Sequence, residues 1–318
     1  MNAVPVRFGK MFALLLSFVS LFAQLGPVSM APLDAENMLL SFDIIADTHI
    51  DEIWNGGRTG LLIDGLKDMS RARIKSGALI IAGDMTERGS VNEYAKLGAA
   101  LNLYCDAGTI LPEMGNHDIR GIKDNEGNSL LTYEFNAGKY FELLDKTAGI
   151  REETVYFYRD IEGCRFIVLN PEGMKGMETV LSDAQLAWLD GLLAESVPAG
   201  NPVFIVNHQP LSAVGEDAQE LAAVMDRYNG LLDIFFISGH YHDGFGPNSI
   251  TNDGTVYFVS VPAYGKSSSG DYGKTGTGFH AEVYGGSVVF RARDYTGGVW
   301  VPQYDRTVLL AAGRKVCP

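Results

Sequence analysis

The sequence predicts an α/β fold, and three observations point to it. From Leu39 onward, short apolar runs of strand character alternate with longer stretches of helical period. Two of those helical stretches open on capping signatures, Ser90 with Glu93 and Ser182 with Gln185. Finally, 318 residues at 46% hydrophobic content can bury a large core, as one big domain or two small ones, with no repeat or low-complexity segment interrupting the pattern.

The elements follow in order. Arg7 and Lys10 precede the apolar run Met11 to Leu25, and the small-residue stretch "GPVSMA" ends at Ala31. This reads as an export signal over residues 1–31, cut after Ala31, with Pro32 an awkward first residue for the mature chain. The competing reading is an uncleaved N-terminal anchor, the one route to a membrane, although Gly26 and Pro27 interrupt the run before it comfortably spans a bilayer. Next come the strand-like "FDIIAD" and "ALIIAG", then a helix from Ser90 with Tyr94, Leu97, Leu101 and Tyr104 on one face. After "TILPEMG" an insertion-like stretch, 119–160, carries a helical segment in which Tyr140, Leu143 and Leu144 suit packing over a site. Ser182 opens a helix with Leu186, Leu189 and Leu193, and "PVFIVN" and "DIFFIS" are again strand-like. Beyond residue 243 the patterns "TVYFVSVPA", "HAEVYGG" and "SVVFRARDY" predict sheet, a second layer of the same domain, broken by the Gly/Ser-rich loop 265–278. The expected catalytic domain is 39–294, with 295–318 as its C-terminal extension.

A formal charge of −14 argues against a broad basic surface for nucleic acid or anionic membrane and favours a small substrate, while leaving room for a local cationic pocket. Three cysteines, Cys105, Cys164 and Cys317, are too few for a disulfide framework. None has CxxC spacing, and Cys105 and Cys164 sit among apolar neighbours, so they read as small buried hydrophobes.

The polar residues that follow the strand-like runs carry the functional signal. "FDIIAD" delivers Asp47 and His49; "ALIIAG" delivers Asp84; "TILPEMG" delivers Asn116, His117 and Asp118; "PVFIVN" delivers His208; and "DIFFIS" delivers His240 and His242. Ligands of open α/β sheets bind beyond the carboxyl ends of strands, so residues far apart in sequence can meet in one crevice there. Each alone is readily a turn or core residue. Together they gather five of the six histidines at strand ends, and the pair His240 and His242 puts two imidazoles within reach of one small volume, which is what a metal requires. His280, outside every such segment, reads as an ordinary sheet or loop histidine.

The ordered set Asp47-Thr48-His49, Gly83-Asp84, Gly115-Asn116-His117-Asp118, Asn207-His208 and Gly239-His240-Tyr241-His242 resembles the calcineurin-like metallophosphoesterase family, over roughly residues 39 to 294. The resemblance implies a four-layer α/β/β/α sandwich, two mixed sheets flanked by helices, with two divalent metal ions, Mn, Fe or Zn. One ion would be held by Asp47, His49, Asp84 and His242, the other by Asp84, Asn116, His208 and His240, with Asp84 bridging. Two ions about 3.5 to 4 Å apart activate a bridging water and clamp phosphoryl oxygens, and the oxygen-rich donor set suits Mn or Fe as well as Zn. In-line attack by metal-bridged hydroxide is then expected, with His117 as general acid to the leaving oxygen and Asp118 orienting and polarising His117.

Arg88, in "GDMTERG", and Arg120, two residues past Asp118, are candidate phosphate ligands that equally suit a solvated surface. Glu87 stands where purple acid phosphatases carry an iron-binding tyrosine, and the motif forms look most like small bacterial phosphodiesterases and phosphohydrolases. The sequence therefore points to an exported phosphoesterase acting on a small phosphodiester or phosphomonoester. The alternatives are a nuclease of the same superfamily, which the −14 charge disfavours, and a non-catalytic metal-binding protein that keeps the fold, which intact His117 and Asp118 disfavour.

Overall fold

The computed structural model describes residues 30–52, 57–121, 132–175, 178–266 and 269–311. In chain order the strands are β1 (Met38–Ile45), β2 (Ala78–Ile81), β3 (Thr109–Pro112), β4 (Phe157–Ile161), β5 (Cys164–Val168), β6 (Met174–Lys175), β7 (Glu178–Thr179), β8 (Val203–Val206), β9 (Ile234–Ser238), β10 (Ile250–Asn252), β11 (Val256–Ser260), β12 (Thr277–Tyr284), β13 (Ser287–Asp294), β14 (Val299–Trp300) and β15 (Arg306–Leu309). The α-helices are α1 (Arg58–Met69), α2 (Val91–Tyr104), α3 (Asn116–Arg120), α4 (Tyr133–Leu143), α5 (Asp183–Ser196) and α6 (Ala218–Asp226).

One mixed sheet runs β14-β13-β12-β1-β2-β3, with β15 also on β13; the other runs β10-β11-β9-β8-β5-β4. In the first sheet β1, β2 and β3 are parallel up to the β3 edge and the strands beyond β1 are antiparallel; in the second β11, β9, β8 and β5 are parallel and the outer β10 and β4 antiparallel. Parallel strands are covered on both faces, which explains why "ALII" in β2 and "VFIV" in β8 are apolar throughout and buried at every position.

Side-chain alternation assigns the layers. Phe166, Phe204 and Phe235 of the second sheet form a stacked aromatic row, with centroids 4.9 and 5.1 Å apart, and Phe42 of β1 meets Phe166 and Phe204 edge-on. That row is the interface between the sheets. The intervening residues Ile167, Ile205 and Phe236 pack instead with Leu186, Leu189 and Leu193 of α5 and Leu221 and Met225 of α6. On the other sheet Asp43 and Leu79 face Leu66 and Met69 of α1, and α1 packs on α2. The result is the expected four-layer α/β/β/α sandwich.

Two expectations need correction. The strand-rich tail is not a layer of its own: β10 and β11 extend the second sheet, whereas β12 pairs antiparallel with β1 and carries β13, β14 and β15 into the first. Ser182 caps α5 by accepting from the Gln185 main chain (3.2 Å), but Gln185 does not reach back. Its amide pairs with the Asn170 main chain instead, and Glu172 accepts from Ser182 N. At α2 the full reciprocal box is present: Ser90 accepts from Glu93 N (3.2 Å) and Glu93 accepts from Ser90 N (3.0 Å).

His280 lies in β12 opposite Asp43, its Nδ1 2.8 Å from Asp43 Oδ1, away from the other histidines. Burial pushes the Cys105 thiol up to about 11 and Cys164 to about 12, so both are inert apolar side chains; Cys317 lies outside the described residues. Most of the expected export signal, 1–29, also lies outside them. Met30, though, is buried in the main core, its carbonyl accepting from Arg73 N, and the Ala31 carbonyl accepts from Arg291 at 2.8 Å.

Candidate metal centre

Five strands end at one place. Asp47 and His49 follow β1, Asp84 follows β2, Asn116 and His117 open α3 after β3, His208 follows β8, and His240 and His242 follow β9. Because β1–β2–β3 and β8–β9 are parallel neighbours in facing sheets, their carboxyl ends share one crevice. The backbone is forced there. Asp47 (φ 53°), His49 (45°), Asp84 (45°), His240 (76°) and His242 (56°) all hold positive φ, and among the described residues Glu162 is the one other non-glycine that does. Such conformations cost of order 1–3 kcal/mol each and persist where surrounding structure imposes them. The crowding leaves no room for side chains at the motif glycines: a Cβ on Gly115 would lie 2.2 Å from Asp84 Oδ1, and one on Gly239 would lie 2.4 Å from Asp47 Oδ2.

The polar atoms fall into two adjoining groups. In the first, His242 Nε2 lies 2.9 Å from His49 Nε2 and 3.1 Å from Asp47 Oδ1. His49 Nε2 is 3.6 Å from both Asp47 Oδ1 and Asp84 Oδ2. One donor atom from each of Asp47, His49, Asp84 and His242 fits within 4.8 Å of all the others. In the second group, His208 Nε2 is 3.3 Å from Asp84 Oδ2, and His240 Nδ1 is 3.1 Å from Asn116 Oδ1. Asp84 belongs to both groups through one oxygen, while its other oxygen accepts from His117 N at 2.8 Å. Asp47 Oδ1 and His208 Nε2 are buried and make no hydrogen bond. Two imidazole nitrogens facing each other beside two carboxylates, with buried atoms left unsatisfied, form a donor set for cations.

The charges reinforce that reading. Burial alone would raise Asp47, but His208, His242 and His49 hold it down at about 2, and Asp84 is likewise depressed by His208, His49 and His117. Burial works against protonation of His208, yet Asp84 and Asp47 raise it to about 10. His240 is pushed down to about 4 by burial and by His208.

The structure corrects the role expected of Asp118. Its Oδ1 accepts from Thr86 N (2.9 Å) and Thr86 Oγ1 (2.6 Å); its Oδ2 accepts from Met85 N (3.0 Å) and Gly115 N (2.9 Å). The carboxylate is saturated by these four donors, so it ties the Asp84 loop to the Asn116 loop and does not polarise His117. The His117 ring instead donates from Nδ1 to the Glu87 carbonyl (2.7 Å), and Arg120 Nη2 lies against the ring, 2.8 Å from Nδ1 and 2.6 Å from Nε2. Burial pushes His117 down to about 4, with His49 and Arg120 adding to the shift. Of the two candidate arginines, Arg120 is therefore at the site, while Arg88 is exposed.

Two further carboxylates, Glu87 and Glu113, support the site. Glu87 lies 3.3 Å from His49 Nδ1 and 3.8 Å from His117 Nδ1, and Arg58 (2.5 Å) and Lys266 (3.3 Å) hold it in place. Its carboxyl is depressed: burial opposes this, but His49, Lys266 and Arg58 prevail. A ligating imidazole is commonly fixed by such a partner on its other nitrogen. Glu113, fully buried, accepts from His208 N and is pushed far up by burial. The available signal for it was a carboxylate inside the apolar run "TILPEMG".

A family model for calcineurin-like phosphoesterase matches residues 40–244. A relative from Rhodococcus erythropolis, named "Probable cyclic nucleotide phosphodiesterase", is 28% identical over 218 residues, which cover 62% of this chain and 63% of that one. Among solved structures, a dimetal phosphatase from Danio rerio is similar with a TM-score of 0.60 at 17% identity, covering 86% of this chain and all (100%) of the other. A purple acid phosphatase from yellow lupin (Lupinus luteus) seeds gives 0.58 at 13% identity, covering 88% and 56%. At these identities the two structures speak for the fold. The dimetal centre of the family fits the donor set described above. With that fit and a family model matched over more than half its length, this chain belongs to the calcineurin-like phosphoesterases, hydrolases of phosphoester bonds.

Proposed function

We propose that the protein is an exported phosphoesterase acting on a small phosphodiester or, second, a phosphomonoester. The observation that carries this is the pair of adjoining donor groups sharing Asp84. Asp47, His49, Asp84 and His242 would hold one ion, and Asp84, Asn116, His208 and His240 the other. Bound there, such ions supply an activated water and neutralise phosphoryl charge. The chain's own residues do the rest. His117 Nε2 lies 3.9 Å from the Asp84 oxygen common to both donor groups, with Arg120 against the ring, so a phosphoester oxygen bound beside them has both an imidazole and a guanidinium within reach. An anionic phosphoester beside the ring raises its proton affinity from the low value set by burial, which suits donation to the leaving oxygen as the bond breaks. Glu87 keeps the ring oriented through its carbonyl.

A small diester is favoured by the −14 charge, which repels polyanions, and by the printed name of the Rhodococcus relative, a cyclic nucleotide phosphodiesterase. The basic and apolar N-terminal pattern supports export. The test is elemental analysis of purified protein, coupled to assays on p-nitrophenyl phosphate and its bis ester with added Mn²⁺, Zn²⁺ or Fe²⁺. Two ions per chain and turnover of the diester are expected. Metal binding without hydrolysis of either ester would instead leave a binding protein.

A further inference from the structure

Tyr241 is a large aromatic side chain left 51% exposed between two residues of the metal centre, His240 and His242. Its placement is set from both ends. Tyr241 N donates to Gly239 O at 3.0 Å, closing a three-residue γ-turn centred on His240 at φ 76°, the rarer and strained hand of that turn. Gly239 at the start of the turn has no room for a side chain: a Cβ there would lie 2.4 Å from Asp47 Oδ2 and 2.8 Å from Ala46 Cβ. At the other end the phenol oxygen lies 2.8 Å from Ser212 Oγ, in the 3-10 turn Leu211–Ala213 just after His208. The ring therefore bridges the two loops that carry His240 and His208, with its centroid 5.5 Å from the His240 imidazole. A ring so fixed, beside the site and open to solvent, is arranged as a wall for another flat group.

We propose that Tyr241 is a specificity-determining residue that stacks a planar aromatic group of the substrate, such as a nucleobase. This rests on the phosphoester reading above and narrows it to a diester with one nucleoside-like arm. Base–aromatic stacking is sequence-tolerant, so Tyr241 favours any such base over an aliphatic arm. Ser212 serves only to hold the ring.

The test compares two diesters with the same leaving group, thymidine 5′-(p-nitrophenyl phosphate) and methyl p-nitrophenyl phosphate, on metal-loaded enzyme. The wild type should prefer the thymidine ester. In Tyr241→Ala the ratio of the two kcat/KM values should fall about tenfold, chiefly through KM of the thymidine ester, whereas Tyr241→Phe should keep it. An unchanged ratio in Tyr241→Ala, or an equal fall in Tyr241→Phe that Ser212→Ala does not share, would overturn the stacking role while leaving the phosphoester reading intact. Failure of the wild type to cleave either ester would remove both.

Discussion

At the residue scale, neighbours in one motif take different tasks: His117 Nε2 approaches Asp84 at the metal centre, while the Asp118 carboxylate accepts from loop backbone. Asp, His and Asn at five strand ends are residue types that a cation selects, and they do meet. Asp118 sits next to His117 in sequence, yet its carboxylate points back into the loop backbone. Two predictions follow from that contrast. Asp118→Asn removes an anion that accepts four hydrogen bonds and turns one acceptor atom into a donor, so it should destabilise the fold by roughly 2–4 kcal/mol, read in denaturant unfolding, and weaken metal binding. If it instead left stability intact and only lowered kcat, a polarising role would be restored. His117→Asn, by contrast, should leave metal content unchanged and cut turnover about 100-fold or more.

The imidazole His208 gives a third prediction. With its value raised to about 10 it carries a proton at neutral pH in metal-free protein, and that proton must leave for Nε2 to bind an ion. Metal affinity should therefore rise with pH up to about 10, and calorimetry in buffers of different ionisation heat should show proton release on loading. In metal-free protein the sign for stability is opposite. The contribution of protonated His208 is full below the ordinary histidine value of about 6.5 and is lost as pH rises through the folded value. Binding enthalpy independent of buffer would contradict the protonated state.

At the element scale, period and capping residues predict where helices start, while the partner of a cap depends on what packs nearby. Ser90 and Glu93 close on each other even though Glu93 also accepts from Arg88 N (3.0 Å), whereas Gln185 is captured by the buried Asn170 main chain, over ten residues away. The loops at the site were legible as motifs and illegible as strain. Nothing in "GHYH" announces positive φ at both histidines, because non-glycine residues adopt it only where tertiary structure demands it. Gly239 is where that demand can be tested. Gly239→Ala places a methyl 2.4 Å from Asp47 Oδ2 at a loop outside the aromatic core, so metal occupancy should fall far more than the melting temperature, measured on the same sample.

At the scale of the whole molecule, the two sheets could be read from the alternation of strands and helices, but the sharing of the tail between them could not. Strand β12 joins β1 across more than two hundred residues, and no local pattern encodes a partner so distant. The same long-range closure fixes the start of the described chain, residues 30–33, which bears on the expected cut after Ala31. Leu33 N donates to Glu282 on β12 at 3.1 Å, Arg291 on β13 joins Glu282 to the Ala31 carbonyl, and Met30 fills the core beyond them at 2% exposure. A cut after Ala31 would remove Met30 and free Arg291 of its tie to the Ala31 carbonyl, while the Leu33 bond to Glu282 would remain. Burying a methionine side chain contributes about 1.5–3 kcal/mol. Chains starting at Met30 and at Pro32 should both fold, since the two sheets are complete in each. The shorter should unfold at lower denaturant by a difference in that range. Met30→Ala in the longer chain should reproduce most of the loss. Equal midpoints for all three would mean that Met30 rests on the core without stabilising it, and a cut after Ala31 would then be of no structural consequence.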